Sequence, residues 1–488
     1  MTSGGGASGR ENLPRVIFFT DNGIGLGHLS RVLAIARRGA GRFQPLILTL
    51  SLAYWLLDEW EMPAEHFPSY GHLGLTKEQW TGLITDRLAE AVAWTGAGAI
   101  VVDHVSPPDL SRLRMTMPDL ELVWMRRGMW KPGKNQAALQ LAGSFTTVIE
   151  PMDLASPIDQ GASATDTVAL RVPPITLISP DEYLPKEEAR RHLGIPQDGR
   201  AVLLQLGESE TESLKRTLTK ARDAVIRATS PEPVHLFAPL HPLHPGLDEI
   251  PGVNCRPVYP MARYFRAFDA AVSNAGYNSY HELISSGLPI AFLIRQTRID
   301  DQPRRAMFAE WSGRAHSAAS IDEPEFQEAV ARALRRHESD IAAATTRQLI
   351  QMSGAEAVAD WLASQVRPNT PQVPSDSVQG VESEPVAVAG LKERLEKLDG
   401  RVIVDARMIG PAGLRHLAES VRSHADKLVV LVAGGGAELT HLPLPFESVM
   451  PPWQWERVGA QFPHEEYTLR RLAGMARRYS AEKVLTLT

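Results

Sequence analysis

Short apolar runs that alternate with helix-period stretches constrain this chain more than any other feature. "RVIFFT" (15–20) leads through a Gly-rich turn into the amphipathic stretch "HLSRVLAIARR". "PLILTL" (45–50), "AIVVD" (99–103) and "LELVWM" (120–125) follow, separated by helical segments such as "KEQWTGLITDRLAEAVAWTGA". Runs this short and this apolar read as strands covered on both faces, and their alternation with helices predicts a parallel, doubly wound sheet. The pattern then restarts with "AVLLQLG" (201–207), "VHLFAP" (234–239), "FDAAVSN" (268–274) and "PIAFLI" (289–294), and closes on the helix "AEAVADWLASQV" (355–366). The expected fold class is α/β, with two Rossmann-like domains in tandem facing a cleft.

The boundaries follow from where the pattern fades. Residues 1–14 form a polar, Gly-rich tail, 15–170 a first domain and 171–366 a second. Residues 367–388, rich in Pro, Ser and acid ("RPNTPQVPSDSVQGVESEPV"), read as a linker. Beyond it "GRVIVDARM", "AGLRHLAESVRSHA", "LVVLVAGGG" and "TLRRLAGMARRYSAEKVLTLT" make a small third α/β module over 389–488, expected to behave as a separable unit. A chain of 488 residues exceeds one ordinary core. Its net charge of -6 offers no basic footprint for nucleic acid. The single cysteine, Cys255, fits a reducing compartment, and no run reaches the roughly 18 apolar residues of a membrane span. The N-terminus lacks the apolar stretch of a signal peptide. A cytoplasmic location is expected, with peripheral membrane contact left open.

Two turns concentrate the chemistry. In "TDNGIGLGHLSR" (20–31), Gly23, Gly25 and Gly27 permit close approach of a ligand to backbone amides, and a helix start lies behind them. His28 follows the last glycine and either acts as a general base toward an acceptor hydroxyl or caps and packs the elbow. Asp103 ends a predicted strand at the ligand-binding edge of the sheet, where it either orients His28 or caps the next turn. His104 is the alternative base. "WMRRGMWKPG" (124–133) sets Arg126 and Arg127 beside Trp124 and Trp130, a wall suited to a sugar or an anion unless Trp124 is core and the arginines surface.

The second turn lies in "SNAGYNSYHELISSGLPIAFLIRQTRIDDQ" (273–302). Ser273, Asn274, Ala275 and Gly276 form a small-residue turn into a helix, a seat for a diphosphate. Glu282 is about 9 Å further along the helix axis, where an acceptor-only carboxylate suits the vicinal hydroxyls of a ribose. Asp300, Asp301 and Gln302 follow the next strand at the same sheet edge. In "LGESE" (206–210), Gly207 and Ser209 can meet a donor phosphate, although Glu208 and Glu210 stand awkwardly close. No Asp-x-Asp occurs, and His241 and His244 ("HPLHP") lack carboxylate or thiolate neighbours, so no metal or other cofactor is expected.

The order small-residue turn, helix with Glu, "SGLP", apolar strand and "DDQ" resembles the donor-binding half of GT-B glycosyltransferases. The similarity is strongest to the family 28 branch that includes the bacterial lipid II-forming N-acetylglucosaminyltransferase. It covers about residues 15–366 and says nothing of 389–488. The resemblance implies a nucleotide-sugar co-substrate, most often UDP-linked, and an acceptor that is a small molecule or lipid-linked. It implies that Glu282 binds the donor ribose, that Gly276, Tyr277 and Asn278 line the diphosphate, and that Asp301 and Gln302 contact the transferred sugar. "GIGLGH" is similar to the family's N-terminal loop, with His28 at its histidine. The expected activity is metal-independent, inverting glycosyl transfer. The alternatives are a nucleotide-sugar 2-epimerase or hydrolase, and a non-catalytic nucleotide-sugar-binding protein.

Overall fold

The computed structural model describes residues 13–21, 26–207, 210–244, 246–335, 354–368, 383–434, 439, 442, 444–458, 462–481 and 483–488. The first sheet comprises β1 (Arg15–Thr20), β2 (Gln44–Thr49), β3 (Ala64–His66), β4 (Ala97–Asp103), β5 (Glu121–Met125), β6 (Thr147–Pro151) and β7 (Leu170–Val172). Its order is β3-β2-β1-β4-β5-β6-β7. Val16, Ile17, Phe18 and Phe19 of β1 have no solvent exposure, as expected for a central strand flanked on both sides by parallel partners. The sequence "KEQWTGLITDRLAEAVAWT" becomes the helix Lys77–Thr95, opened by a Thr76/Gln79 capping box and closed by Gly96 at φ 66°.

The second sheet comprises β8 (Arg200–Gln205), β9 (Val234–Leu240), β10 (Val253–Pro257), β11 (Ala270–Asn274), β12 (Ile290–Leu293) and β13 (His316–Ala318), in the order β10-β9-β8-β11-β12-β13. Each doubly wound sheet has one point where successive strands reverse direction of travel: between β1 and β4 in the first, between β8 and β11 in the second. Crevices at the carboxyl ends of such strand pairs are where open α/β sheets take ligands. The second turn singled out in the sequence lies there, as do the described flanks of the first, Thr20 and the helix start at Gly27.

A third sheet comprises β14 (Ser383–Val386), β15 (Val402–Asp405), β16 (Leu428–Ala433), β17 (Phe446–Val449) and β18 (Lys483–Leu487), in the order β14-β18-β15-β16-β17. Residues 383–386 thus pair as an edge strand with β18, although they fall within the stretch read as linker; 369–382 lie outside the described residues. Compactness divides the chain into one unit of 1–125, 141–148 and 359–488 and another of 126–140 and 149–358. The C-terminal module therefore shares a unit with the N-terminal sheet.

The reason is a buried ionic layer. Glu447 on β17, fully buried, is held by Arg471 at 2.7 Å, by Arg478 at 3.0 Å and by the Tyr479 hydroxyl at 2.8 Å. Arg471 also approaches Glu65 of β3 at 3.5 Å, and Glu65 pairs with Arg87 of the helix Lys77–Thr95. Around this layer, the His66 amide donates to Ser448 Oγ (2.7 Å) and the Ala64 amide to Gln454 Oε1 (3.0 Å). Tyr54 joins the apolar core of the C-terminal module. Each of these bonds joins residues at least 22 apart in the chain, so composition and periodicity carry no trace of the contact.

Burial alone would raise the Glu447 carboxyl; Arg478, Arg471 and Arg87 hold it instead at about 2, against an ordinary 4.5. A depressed carboxyl contributes stability that is complete above its unfolded value and is lost as pH falls through the folded one. Arg471→Met, which leaves two buried carboxylates short of a partner, is expected to cost about 3–5 kcal/mol in urea unfolding at pH 7. The penalty shrinks between pH 4.5 and about 2. A loss below 1 kcal/mol would show the layer to be incidental.

Candidate active site

In the first unit the site forms at the β1/β4 switch. Thr20, the last residue of β1, pairs with Asp103, the last of β4. The helix Gly27–Arg38 begins just beyond β1, which carries His28 back to Asp103; Gly25 lies outside the described residues. His28 Nδ1 is 2.8 Å from Asp103 Oδ1, and both side chains are buried, at 8% and 1% exposure. His28 Nδ1 also lies 3.0 Å from Arg31 Nη2; in the tautomer with its proton on Nδ1, the ring donates to the carboxylate and Nε2 is left for a ligand. Of the two readings left open for each residue, the geometry brings the pair together.

Arg31, which the sequence reading passed over, completes the cluster. It is 2% exposed and donates from Nε to Asp103 Oδ2 (2.8 Å) and from Nη2 to Oδ1 (2.7 Å). Burial would raise the Asp103 carboxyl, but Arg31 and then His28 hold it at about 2. The signal was present: Arg31 stands three residues after His28, hence on the same helix face. His104 is held by other partners. Its Nε2 is 3.3 Å from Asp21 and its Nδ1 accepts the Ser106 amide (3.1 Å), while burial lowers its pKa to about 4.

The second unit builds its site at the β8/β11 switch. Asn274 Oδ1 accepts the Gly207 amide (3.0 Å), and Asn274 Nδ2 donates to the Leu293 carbonyl (3.1 Å), so one side chain fastens the ends of β8, β11 and β12. Gly276 is the N-cap of the helix Tyr277–Ser286, which Gly287 ends at φ 75°. The first amides of a helix have no intrahelical carbonyl, which suits Gly276, Tyr277 and Asn278 to an anion. Ser209 and Glu208 lie outside the described residues; Glu210 is exposed at the start of the next helix.

Several residues expected to touch the donor make hydrogen bonds within the protein. Ser273 is fully buried and donates to the carbonyls of Gln205 (3.2 Å) and Asn274 (3.1 Å). The Tyr277 hydroxyl donates to Met152 O (3.1 Å) and accepts the Ile175 amide (3.2 Å). Ala275 is buried, its carbonyl bound by Arg305 at 2.7 Å. Asp301 caps the helix Gln302–Trp311, accepting from the Arg304 amide (3.2 Å) and Nε (3.1 Å). Gln302 is different: it is 6% exposed, its Oε1 is buried with no hydrogen-bond partner, and its amide nitrogen lies near Gly276.

Arg126 does not form an acceptor wall. It has no exposure and pairs with Glu150 (2.9 Å) and Asp166, because its amide continues the ladder to Ile149 and its side chain turns inward beside Glu150. Arg127 is half-buried, 3.4 Å from Asp300. Trp124 is core, stacked on Phe145 at 6.0 Å, and Trp130 is buried in a bridge to Asp300.

Arg305, with no exposure, binds Asp153 (2.7 Å), Asp300 (2.9 Å) and the Ala275 carbonyl. Burial opposes ionisation of Asp300, yet Arg127 and Arg305 hold its carboxyl at about 2. His281 donates from Nδ1 to Tyr277 O (2.7 Å) and accepts the Leu154 amide at Nε2 (3.1 Å), which makes it a neutral structural ring.

Glu282 stands apart from this paired network. It is 8% exposed, on the same helix as the Gly276 cap, and meets no cation among the described residues. Burial pushes its carboxyl up to about 7, with a backbone bond from Leu177 only partly offsetting that. An acceptor kept buried without a cation is costly, and such groups concentrate at ligand sites.

No protein-family model and no curated protein sequence matches the chain. Solved structures do. The glycotransferase of kitacinnamycin matches with a TM-score of 0.52 at 16% identity, covering 72% of this chain and 99% of its own. Spinosyn forosaminyltransferase SpnP matches with a TM-score of 0.53 at 13% identity, over 72% and 99% respectively. The chain has the GT-B fold, in the two doubly wound sheets expected from the sequence. No described helix is long and apolar enough to cross a membrane.

A carboxyl raised on folding behaves opposite to Glu447: its neutral form favours the folded state below the unfolded value of 4.5, and that contribution is lost as pH rises through about 7. Glu282→Gln is therefore expected to stabilise the unliganded protein at pH 8, by up to about 3 kcal/mol. The gain disappears below pH 4.5 in thermal melts. A stability loss at pH 8 would mean the carboxylate is already satisfied.

Proposed function

We propose that this protein is a glycosyltransferase that moves a sugar from a nucleotide donor, UDP-linked, to a hydroxyl acceptor with inversion. The observation that carries the reading is the buried His28–Asp103 contact of 2.8 Å at a switch point of a GT-B fold. Both structural neighbours are named for glycosyl transfer, which supports the general class. His28 takes the acceptor proton at Nε2 as the acceptor oxygen attacks the anomeric carbon. The bond to the diphosphate breaks as the new one forms, and the electron pair leaves with the phosphate oxygen. Asp103, kept ionised by Arg31, orients the ring and stabilises the imidazolium.

On the donor side the reading gives Glu282 the ribose hydroxyls, the Gly276–Asn278 helix start the diphosphate and Gln302 Oε1 a sugar hydroxyl. Backbone amides and the helix dipole then supply the stabilisation that a divalent cation gives elsewhere, so turnover is expected to survive EDTA. A strict Mg²⁺ or Mn²⁺ requirement would overturn the metal-free part.

The decisive measurement is turnover of a UDP-sugar panel with and without hydroxyl acceptors. His28→Ala is expected to lower kcat about 10²- to 10⁴-fold with donor affinity little changed. Asp103→Asn is expected to lose less, and the double variant no more than His28→Ala alone. Donor turnover independent of any acceptor would move the assignment to an epimerase or hydrolase. Donor binding without turnover would make it a binding protein.

A further inference from the structure

The turn that follows β9 carries two imidazoles that the reading above leaves unused. His241, Pro242, Leu243 and His244 form a β-turn closed by the His244 amide donating to the His241 carbonyl at 2.8 Å. Proline after the first residue presets the backbone for such a turn. Each ring is then fixed by the same local device. The Leu243 amide donates to His241 Nδ1 (3.1 Å), and the Gly246 amide donates to His244 Nδ1 (3.2 Å).

This decides the tautomer. A ring that accepts at Nδ1 carries its proton on Nε2 when neutral. Both Nε2 atoms are buried, and neither has a hydrogen-bond partner among the described residues. Two buried N–H donors without acceptors carry an unrepaid desolvation cost, which calls for an explanation in a ligand. A metal ion does not supply one, because the protonated Nε2 has no lone pair to give. Burial, and then the neighbouring His244, lower the pKa of His241, so that ring is neutral at neutral pH.

The strand register shows where the turn lies. Leu203 of β8 pairs with Phe237 of β9, so four residues on, Gly207 and His241 stand level. Gln205 of β8 pairs with Ser273 of β11, so Gly207 also stands level with Ala275, just before the Gly276 cap. At about 4.8 Å per strand, His241 is two strands, or roughly 10 Å, from the start of that helix.

We propose that the His241–His244 turn is a phosphoryl-binding device, whose two Nε2–H groups donate to non-bridging oxygens of a diphosphate seated at the Gly276–Asn278 helix start. The inference rests on the donor reading for the identity of the nucleotide, but not for the phosphoryl group itself. The device adds two N–H donors to the oxygens that gain charge as the donor bond breaks.

Asparagine separates the two functions of each ring. Its Oδ1 takes the place of Nδ1 as acceptor of the backbone amide, while the Nε2–H is deleted. Calorimetry of the full chain with UDP, uridine and inorganic pyrophosphate is therefore run on the wild type and on His241→Asn/His244→Asn. The expected result is a loss of about ten- to a hundredfold in affinity for UDP and pyrophosphate, with uridine unchanged. Unchanged UDP and pyrophosphate affinity would overturn the device and leave the donor reading standing. Equal losses for uridine would also overturn it, as general damage to the fold. Pyrophosphate binding that depends on the pair, without any UDP binding, would keep the device and defeat the nucleotide reading; a wild type that binds neither defeats both. Long-range ¹H–¹⁵N spectra of the wild-type rings check the premise without a variant. Two Nε2–H tautomers that shift on adding pyrophosphate are expected, and Nδ1–H tautomers would overturn the proposal.

Discussion

The guanidinium of Arg305 is the interaction on which the donor-side edge depends. It has no exposure, yet it binds carboxylates of Asp153 and Asp300 and the carbonyl of Ala275, which come from three separate loops. A charge moved from water into a protein interior is tolerated only with full pairing, so these loops cannot separate without exposing an uncompensated ion. Their spacing is thereby set, and with it the position of the Gly276 cap, of Gln302 and of Glu282. The carboxylates around Arg305 are paired with it, whereas Glu282 meets no cation among the described residues and Gln302 Oε1 has no hydrogen-bond partner. That contrast, more than residue type, distinguishes what holds the edge from what it can offer a ligand.

The same device recurs at the β1/β4 switch in smaller form. Arg31 grips both oxygens of Asp103 and so keeps a buried carboxylate ionised beside His28. A lone Asp at 1% exposure would be driven toward its neutral acid, which could no longer accept from Nδ1–H in the same way. A third instance is structural throughout. Glu447, Arg471, Glu65 and Arg87 bind the C-terminal module to the N-terminal sheet through charges that are all buried. Buried ion layers are weak sources of net stability but costly to break, and they admit few alternative registers. A module expected to be separable is in this way made part of one compact unit.

Much of this was legible in the chain. Periodicity placed β1, β2, β4, β5, β8, β9, β11 and β12, because a strand buried on both faces must be short and apolar, but it passed over β3, β6, β7, β10 and β13. The small-residue turn before Tyr277 was legible too, since such residues let backbone amides face a ligand; residues 22–25 before His28 lie outside the described residues. The pairing of His28 with Asp103 was open in the sequence and was decided by the parallel register of β1 and β4. The N-cap role of Asp301 and the buried bonds of Ser273 were not legible, because an N-cap or a buried hydroxyl has the same letter as a binding residue. Arg126 was misplaced because its partners, Glu150 and Asp166, lie 24 and 40 residues away.

The sequence by itself determined the doubly wound architecture and the two switch-point turns, since these rest on local periodicity and on backbone freedom at glycine. Tertiary structure alone decided which charges are paired. Arg31, Arg305 and Arg471 acquire their roles from carboxylates that only folding brings within 3.5 Å. The physical reason is range: apolar period and turn chemistry act over a few residues, whereas the cost of burying an ion depends on whatever the whole chain places beside it.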